Sequence, residues 1–525
     1  MTVQCTFCDI EGESRDDPIF DTCKQNNHEL LSYGSKDSPK NTTKQTRTKS
    51  KTQILPKVKG SVNEQYVESI IVDNKPQFLV RQLDKDEITI KDSIELEDKI
   101  IRPLNLKECG YLPYSFSSSE ISELSTTLIT TEAIIEELKN QVDRYIVAKE
   151  LDKYLIVGDI LISYSQERIS TVHYPYYVGE TESGKSSVLH LGRWLNYRCL
   201  YGEDIPNADV YNFLGSDEEG CGVIAEDEAQ EITKNREKIR MYKNSYSKGS
   251  VKARMLMTDS SKQQIFYKTF CPKWFAGEKL PQDKGFQERI AIVYMTEGEP
   301  QSNIKRATDE EKAQLISLRN KLLIWKLQNI GRSIERVDIG FKGRDEELWS
   351  DFVTIAKDTT YYEKFLTVAK FYTEQRHQTI YNSIEARLFK ILLQKLDQDL
   401  KLNFTEYWNF VTQDNPDLPG TIDSKSRRTF QPDEYTTYIT FNSLAKTLEQ
   451  KLNGVKHQLK KREKGIQHQK TWYSFQKDEL LKLAKKYGIE IPIDNPVYSR
   501  ERDEQCQQDN DVDDVNDVKE VLDEK

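Results

Sequence analysis

The segment from Gly179 to Ser186 holds the residues of this chain that are best suited to chemistry. It reads GETESGKS, with glycine at its first and sixth positions, followed by Lys185 and a hydroxyl residue. Glycines at this spacing let a loop surround a phosphate with backbone N–H groups, the lysine reaches the β- and γ-phosphates, and the serine hydroxyl can ligate Mg²⁺. The strand-like stretch HYPYYVG precedes the loop and a helical pattern follows it, as such a site requires. We therefore predict a site for ATP and Mg²⁺, with chance occurrence of the motif as the alternative. The predicted phosphate contacts are Gly179, Glu180, Thr181, Glu182, Ser183, Gly184, Lys185, Ser186 and Ser187.

Three consecutive acids end an apolar stretch further along the chain, in the segment GVIAEDE. One carboxylate at the end of such a strand holds Mg²⁺ and the next polarises the attacking water. We assign Asp227 to the Mg²⁺ side, together with Ser186, and Glu228 to the role of general base. Glu226 with Asp227 is the alternative pair, because three acids in a row leave the register open. A strand end with solvated acids is the non-catalytic alternative.

A single arginine, Arg289, stands just ahead of the last strand-like segment of this region, IAIVYM. An arginine at this place can reach the γ-phosphate of a neighbouring subunit as an arginine finger. An ordinary surface or ion-paired arginine is the alternative. The candidate catalytic residues are therefore Lys185, Asp227, Glu228 and Arg289.

Five segments together resemble the AAA+ and helicase branch of P-loop ATPases, and more closely the ATPase half of plasmid and phage primase–helicase proteins. In chain order they are YPYYVGETESGKS, VIAEDEAQ, NSYSKGSVKARM, FCPKWFAGEKLP and FQERIAIVYM. The resemblance covers roughly residues 120–300. It implies an ATP-driven DNA motor of a replication system, in a plasmid, virus or integrated element, which forms a ring and hydrolyses ATP at subunit interfaces.

The chain departs from the family pattern in two respects, and the family also implies a role for Lys262. The acidic strand reads Glu-Asp-Glu where the family has a single Asp-Glu pair, and no primase module is present, so a separate primase or replication protein is an expected partner. The family places a hairpin like that of residues 251–270 in the central channel of the ring. Lys262 would there contact the phosphates of single-stranded or forked DNA, with a solvated turn lysine as the alternative.

The fold class that follows is α/β, with an AAA+-like P-loop NTPase core built on a parallel sheet. We expect a small β-rich N-terminal region, a helical lid and a C-terminal winged-helix-like module around it. Thr308 and Glu311 have the spacing of a helix capping box. The predicted segments are a zinc-type segment (1–35), a basic flexible linker (36–60), the β-rich region (61–117), a helical region (118–168), the ATPase core (169–300), a helical domain (301–425), the winged-helix-like module (426–495) and an acidic disordered tail (496–525).

The two ends of the chain carry further binding candidates. Cys5, Cys8, Cys23 and His28 offer four ligands of the kind that tetrahedral Zn²⁺ takes, although incidental cysteines in a disordered leader are an equal alternative. Near the other end, the basic segment VKHQLKKREKG follows a helical pattern, and we interpret it as a second helix before the strand KTWYSF. Its DNA-backbone candidates are Lys460, Lys461 and Arg462, with a solvated helix face as the alternative.

The composition and charge of the chain limit the classes of protein to which it can belong. The chain has 525 residues and a net charge of −10, but residues 501–525 hold eleven acids and three bases, so the rest of the chain is nearly neutral. We find no apolar run long enough to span a bilayer, no secretory signal and no disulfide framework among the eight cysteines. We therefore expect a cytoplasmic protein. Besides the motor, a nucleotide-gated DNA-binding initiator or regulator is the second hypothesis, and a kinase, which the acidic pair disfavours, is the third.

Overall fold

The structure is a computed structural model, and the secondary structure of most of the chain is described. The described residues are 2–5, 11–12, 30–33, 53–85, 87–97, 99–105, 108–215, 220–258, 261–413, 421–422, 428–430, 437–463 and 466–498. The chain forms two compact units, of which residues 1–54 with 96–100 make the smaller one and the rest makes the larger one.

The smaller unit contains a short antiparallel sheet. Its strands are Thr2–Cys5 (β1), Glu11–Gly12 (β2) and Leu30–Tyr33 (β3), in the order β2-β1-β3. Cys5 ends β1, but its side chain and the residues Cys8, Cys23 and His28 lie outside the described residues. The predicted zinc site therefore stays a prediction.

The predicted β-rich region consists of short strands joined by tight turns. The strands are Gln53–Pro56 (β4), Lys59–Val62 (β5), Gln65–Val72 (β6), Lys75–Gln82 (β7), Glu87–Lys91 (β8), Ile94–Glu95 (β9), Lys99–Arg102 (β10) and Ser115–Phe116 (β11). The strands β5 to β8 pair with their sequence neighbours in antiparallel fashion. Both central residues have positive φ in the turns Asn63–Glu64 and Asp73–Asn74, as two-residue hairpins require. The prediction that the flexible linker extends to residue 60 is wrong, because β4 and the start of β5 lie within its last residues.

Three helices follow, and the third is buried from Tyr154 to its end. They are Ser118–Thr126 (α1), Thr131–Tyr145 (α2) and Glu150–Tyr164 (α3). Gly158 of α3 allows a close approach, because a Cβ there would lie 2.2 Å from the Phe352 ring. The buried residues of α3 lie on every side from Tyr154 onward, which places this part of the helix in the middle of the core.

The central layer is a parallel sheet of five strands. The elements of this region are Tyr174–Val178 (β12), Lys185–Leu195 (α4), Cys199–Glu203 (β13), Asn207–Leu214 (α5), Val223–Asp227 (β14), Arg236–Asn244 (α6), Val251–Thr258 (β15), Ser261–Lys268 (β16), Lys273–Gly277 (β17), Lys284–Gln287 (α7) and Ile290–Tyr294 (β18). The strand order is β13-β14-β17-β12-β18, with every pair parallel. This confirms the α/β class with a parallel sheet. The predicted hairpin is also present, because β15 pairs with β16 in antiparallel register.

Three more helices complete the first hydrophobic core. They are Asp309–Asn329 (α8), Arg344–Thr354 (α9) and Tyr362–Tyr381 (α10). The capping box predicted at Thr308 and Glu311 is present at the start of α8. Buried side chains from Tyr66 to Tyr372 form one continuous cluster, so the segments predicted separately between residues 61 and 300 share their core with these helices.

A cluster of buried charges ties the β-rich region to the parallel sheet. Glu68 of β6 pairs with Arg198, which directly precedes β13, and both side chains are fully buried. Lys326 of α8 lies 3.3 Å from Glu68 and 2.8 Å from Glu167, and Lys59 lies 2.7 Å from Glu167. Buried charges are stable only when paired in this way, and the cluster fixes three parts of the fold to one another.

The C-terminal part forms a second hydrophobic core. Its elements are Ile384–Lys395 (α11), Lys401–Asn403 (β19), Phe404–Gln413 (α12), Thr421–Ile422 (β20), Arg428–Phe430 (β21), Thr437–Ile439 (β22), Phe441–Gln450 (α13), Val455–Glu463 (β23), Ile466–Ser474 (β24) and Lys477–Tyr487 (α14). The sheet β19-β24-β23 packs with these helices.

Two boundaries and one element differ here from the sequence interpretation. The buried cluster runs from Ala386 to Val497, so the predicted boundary at residue 426 falls inside it, as does the predicted tail boundary at 496. The basic segment predicted as a helix is the strand β23, because it pairs along its whole length with β24. Cross-strand pairing therefore overrides the helical preference of its lysines.

Candidate functional site

The predicted phosphate-binding segment is a loop between β12 and α4. Gly184 has a φ of +85°, a left-handed conformation that glycine adopts without steric cost. At Gly179, an added Cβ would lie 2.3 Å from the hydroxyl oxygen of Ser183 and 3.0 Å from the carbonyl oxygen of Met295. Both glycines of the motif are therefore required by the path of the loop itself.

The helix α4 begins at the end of this loop with an open N-terminus. It has no side-chain cap and no acid in its first turn, so its N–H groups and its dipole favour an anion. Lys185 is 7% exposed, and its Nζ donates to the carbonyl oxygen of Glu180, 3.2 Å away across the loop. The Ser183 hydroxyl is buried and lacks a hydrogen-bond partner in the described part of the chain. A buried hydroxyl without a hydrogen-bond partner costs free energy, and an oxygen of a bound ligand would supply that partner.

The acid run at the end of β14 consists of two buried carboxylates, Glu226 and Asp227, and one exposed carboxylate, Glu228. Glu226 is 2% exposed, and it accepts hydrogen bonds from Lys238 Nζ at 2.5 Å and Tyr242 Oη at 3.2 Å. Burial raises the pKa of Glu226, and Lys238 opposes that shift. Glu226 is thus engaged with α6.

Asp227 and Glu228 stand at the carboxyl end of β14. Asp227 is 5% exposed and accepts the backbone N–H of Glu228 at 3.0 Å. Glu228 is exposed and has a φ of +53°, which is uncommon for a residue other than glycine. Burial lowers the pKa of His190, which lies one turn after Ser186 on α4, and the charge of Asp227 opposes this shift.

The parallel sheet brings the loop and these two acids to one edge. The strands β12 and β14 are both direct neighbours of β17, and all three end at the same side of the sheet. With strands about 4.8 Å apart, the loop and the acids are separated by about 10 Å. Ligands of open α/β sheets bind at this edge, outside the carboxyl ends of the strands. A cleft of about 870 Å³ opens beside Glu228 and carries both acids and bases, among them Glu203, Asp204 and Arg236.

Arg289 is not part of this group. It precedes β18 and therefore lies at the amino edge of the sheet, about 16 Å of strand away from the carboxyl edge. Its guanidinium donates to the Gly285 carbonyl oxygen and stacks on the ring of Tyr246, 4.9 Å from the centroid. Burial lowers the pKa of Arg289, and Arg344, on the same tyrosine ring, adds to this shift. Within one chain, Arg289 cannot reach the phosphate loop.

The nucleic-acid candidates lie in two hairpins. Lys262 is in β16, opposite Met257, near the end of the hairpin β15–β16. The other three, in β23, are opposite residues of β24, and the side chains of all four lie outside the described residues. These three residues are Lys460, Lys461 and Arg462.

Two polar residues of this edge, Gln230 and Glu278, were not predicted from the sequence. Gln230 contacts Glu228, and Glu278 follows β17 directly. Their only signal in the sequence is a polar residue shortly after a strand end, which is too common to single them out. In the described residues, no group of three or more His, Cys, Asp or Glu side chains has a metal-binding arrangement, and no helix is long and apolar enough to cross a membrane.

The comparisons with known proteins give weak similarity alone. No protein-family model and no curated protein matches the chain. A structure of the C-terminal region of NrS-1 in its A form, without ligand, is similar over 78% of this chain and 97% of its own, with 9% identity and a TM-score of 0.30. Two structures of residues 305–718 of the same region cover 63% of this chain and 77% of their own, with 11% and 10% identity and TM-scores of 0.26 and 0.25. Similarity at this level assigns neither a fold nor a function.

Proposed function

We propose that this chain is a P-loop ATPase of the AAA+ and helicase branch that uses ATP hydrolysis to move on DNA. One observation carries the proposal: a glycine loop with a buried lysine and an uncapped helix N-terminus shares a sheet edge with two carboxylates. The loop offers backbone N–H groups and a positive charge, and the carboxylates end a strand two positions away in the sheet, at the same edge, where Mg²⁺ and the γ-phosphate would lie between them.

The residues at this edge fit ATP and Mg²⁺. The buried Ser183 hydroxyl, which lacks a partner in the described part of the chain, suits a phosphate oxygen. Ser186 and Asp227 would hold Mg²⁺, because that ion takes hydroxyl and carboxylate oxygens beside phosphates. When bound, Mg²⁺ neutralises charge on the phosphates. Lys185 stabilises the β- and γ-phosphates, and Glu228 orients and deprotonates the attacking water.

The engagement of Glu226 with Lys238 favours Asp227 and Glu228 as the active pair. A carboxylate that is 2% exposed and paired with a lysine is not free to approach a nucleotide. The alternative pair, Glu226 with Asp227, would require this buried ion pair to break first. We therefore retain Glu228 as the general base in the proposal.

The position of Arg289 favours action between subunits. Because it lies at the edge opposite to the loop of its own chain, it can serve only the nucleotide of a neighbouring copy. We accordingly propose a ring-shaped homo-oligomer. The expected effect of such an arginine, about 10³–10⁵-fold in turnover, would then require assembly of the ring.

The two hairpins are the proposed DNA contacts. The order of α11, β19, α12, α13, β23 and β24, with the small sheet β20 to β22 inserted between α12 and α13, supports a winged-helix-like module, in which β23–β24 would be the wing. Lysines on the wing and Lys262 on the other hairpin would contact phosphates, which gives affinity without sequence preference. A separate primase or replication protein is the proposed further partner.

A slow nucleotide-gated switch is the second candidate function, because the same site can bind ATP and alter DNA affinity without processive unwinding. Turnover of ATP with and without single-stranded DNA, followed by strand displacement on a forked duplex, separates the two. The motor requires turnover that rises with DNA and a displaced strand. Turnover that does not respond to DNA, with no displaced strand, would refute the motor and favour the switch.

A further inference from the structure

Gln230 connects the proposed base to the phosphate loop through a series of hydrogen bonds. It lies in the 3₁₀ helix Ala229–Lys234, and its Nε2 donates to Oε2 of Glu228 at 2.5 Å. Its Oε1 accepts the backbone N–H of Glu278 at 3.2 Å. The carboxylate of Glu278 in turn accepts from the hydroxyl of Thr181, in the loop, at 3.3 Å. Gln230 thus uses both ends of its amide, one on the base and one on the end of β17.

The surroundings of Gln230 are shaped for this contact. A Cβ on Gly277 would lie 2.3 Å from Oε1 of Gln230 and 2.6 Å from the hydroxyl of Tyr176, so any side chain at this position would displace the glutamine. Glu228 itself has the left-handed φ of +53°, which directs its side chain to the glutamine at a cost in backbone energy. The positive φ of Glu228 and the glycine at position 277 are both explained if the contact between Glu228 and Gln230 serves the site.

We infer that Gln230 is a positioning residue for the hydrolysis reaction. It holds one carboxylate oxygen of Glu228, so that the other is directed at the attacking water, and it links this orientation to the phosphate loop through Glu278 and Thr181. The inference rests on the proposed function, since it assigns Glu228 the role of base. Because a misplacement of about 1 Å at a reacting group can cost about 10²-fold in rate, loss of this hydrogen bond should lower turnover strongly.

The test is Gln230→Met, which keeps the length of the side chain and removes both hydrogen bonds. We expect kcat for ATP to fall about 10–100-fold, while KM and the dissociation constant of a fluorescent ATP analogue stay within about twofold. Gln287→Met is the matched control, because Gln287 donates to the carbonyl oxygen of Pro281 and does not contact Glu228. Its kcat should remain that of the wild type.

A double-mutant cycle separates positioning from a structural role. In a Glu228→Gln background, Gln230→Met should lower kcat no further, since Gln230 acts through Glu228. An equal fold-loss in both backgrounds would overturn the inference, and so would wild-type kcat in Gln230→Met. If Gln230→Met does not fold, Gln230→Glu is the second variant. It has the same shape, keeps the acceptor for Glu278 and places a carboxylate against Glu228. It should show the same loss of kcat at constant KM. A wild-type protein without turnover that depends on Lys185 would instead overturn the proposed function, and the role of Gln230 with it.

Discussion

Glu226→Gln and Glu228→Gln, two residues apart at the end of β14, should have opposite effects on protein stability and on ATP turnover. Glu226→Gln removes the charge of a carboxylate that is 2% exposed and bonded to Lys238, whose side chain is 1% exposed. Breaking a buried ion pair costs about 3–5 kcal/mol, because the remaining charge stays buried. Asp204 remains 3.4 Å from Lys238, so we expect the lower end, about 3 kcal/mol of unfolding free energy. Glu228 is exposed, so Glu228→Gln should leave stability nearly unchanged and lower kcat about 10²–10⁴-fold.

The assay is urea unfolding of both variants, with ATP turnover measured on the same preparations. At a slope of about 3 kcal/mol per molar urea, the midpoint of Glu226→Gln should move about 1 M lower, while its folded fraction keeps its turnover. The reasoning would be refuted by the reverse pattern: a stable Glu226→Gln without turnover and an active Glu228→Gln. That result would assign the reaction to Glu226 and Asp227.

Three further predictions concern other parts of the chain. Burial raises the pKa of Glu68, but the charges of Arg198 and Lys326 outweigh burial, and the net pKa is lowered. The ionised carboxylate therefore stabilises the fold above its unfolded pKa of about 4.3, and this stabilisation is lost as the pH falls. Arg198→Met should therefore lower the unfolding free energy by about 3–5 kcal/mol at pH 7, with a difference from wild type that shrinks below about pH 4, as denaturant titrations at several pH values will show. Replacing the basic residues of β23 by glutamine should weaken DNA binding and reduce the slope of log K against log salt by about 2–3, and an unchanged slope would exclude them as phosphate contacts. The residues replaced are Lys460, Lys461 and Arg462. Metal analysis should find one Zn²⁺ per chain, lost in Cys8→Ser, and a metal-free wild type would remove the zinc prediction.

The glycine loop and the strands beside it could be predicted because local sequence alone determines them. The motif fixes its own spacing, and the apolar stretches HYPYYVG and GVIA read as buried parallel strands. The capping box of α8 is likewise a short-range pattern. Whether Glu226 or Glu228 faces the site depends instead on Lys238, which α6 brings into contact from outside the strand.

Other features arise only from long-range contacts. The basic strand β23 has charges at successive positions and no clear alternation, so its structure depends on pairing with β24. The buried charges of Glu68, Arg198 and Lys326 look like surface residues in the sequence, because their burial results from packing between distant segments. The position of Arg289 at the opposite edge follows from strand direction, and its action on a neighbouring copy needs an assembly that one chain does not contain.

The most direct test of the proposed site is steady-state ATP hydrolysis by the wild type, by Lys185→Ala and by Lys312→Ala, with Mg²⁺ present. Lys312 is a matched control, since it is a half-exposed lysine on α8 paired only with Asp309 in the described residues. We predict that turnover falls about 10²-fold or more in Lys185→Ala and stays at the wild-type level in Lys312→Ala. Equal turnover in Lys185→Ala and the wild type would contradict the assignment of this loop as the site of hydrolysis.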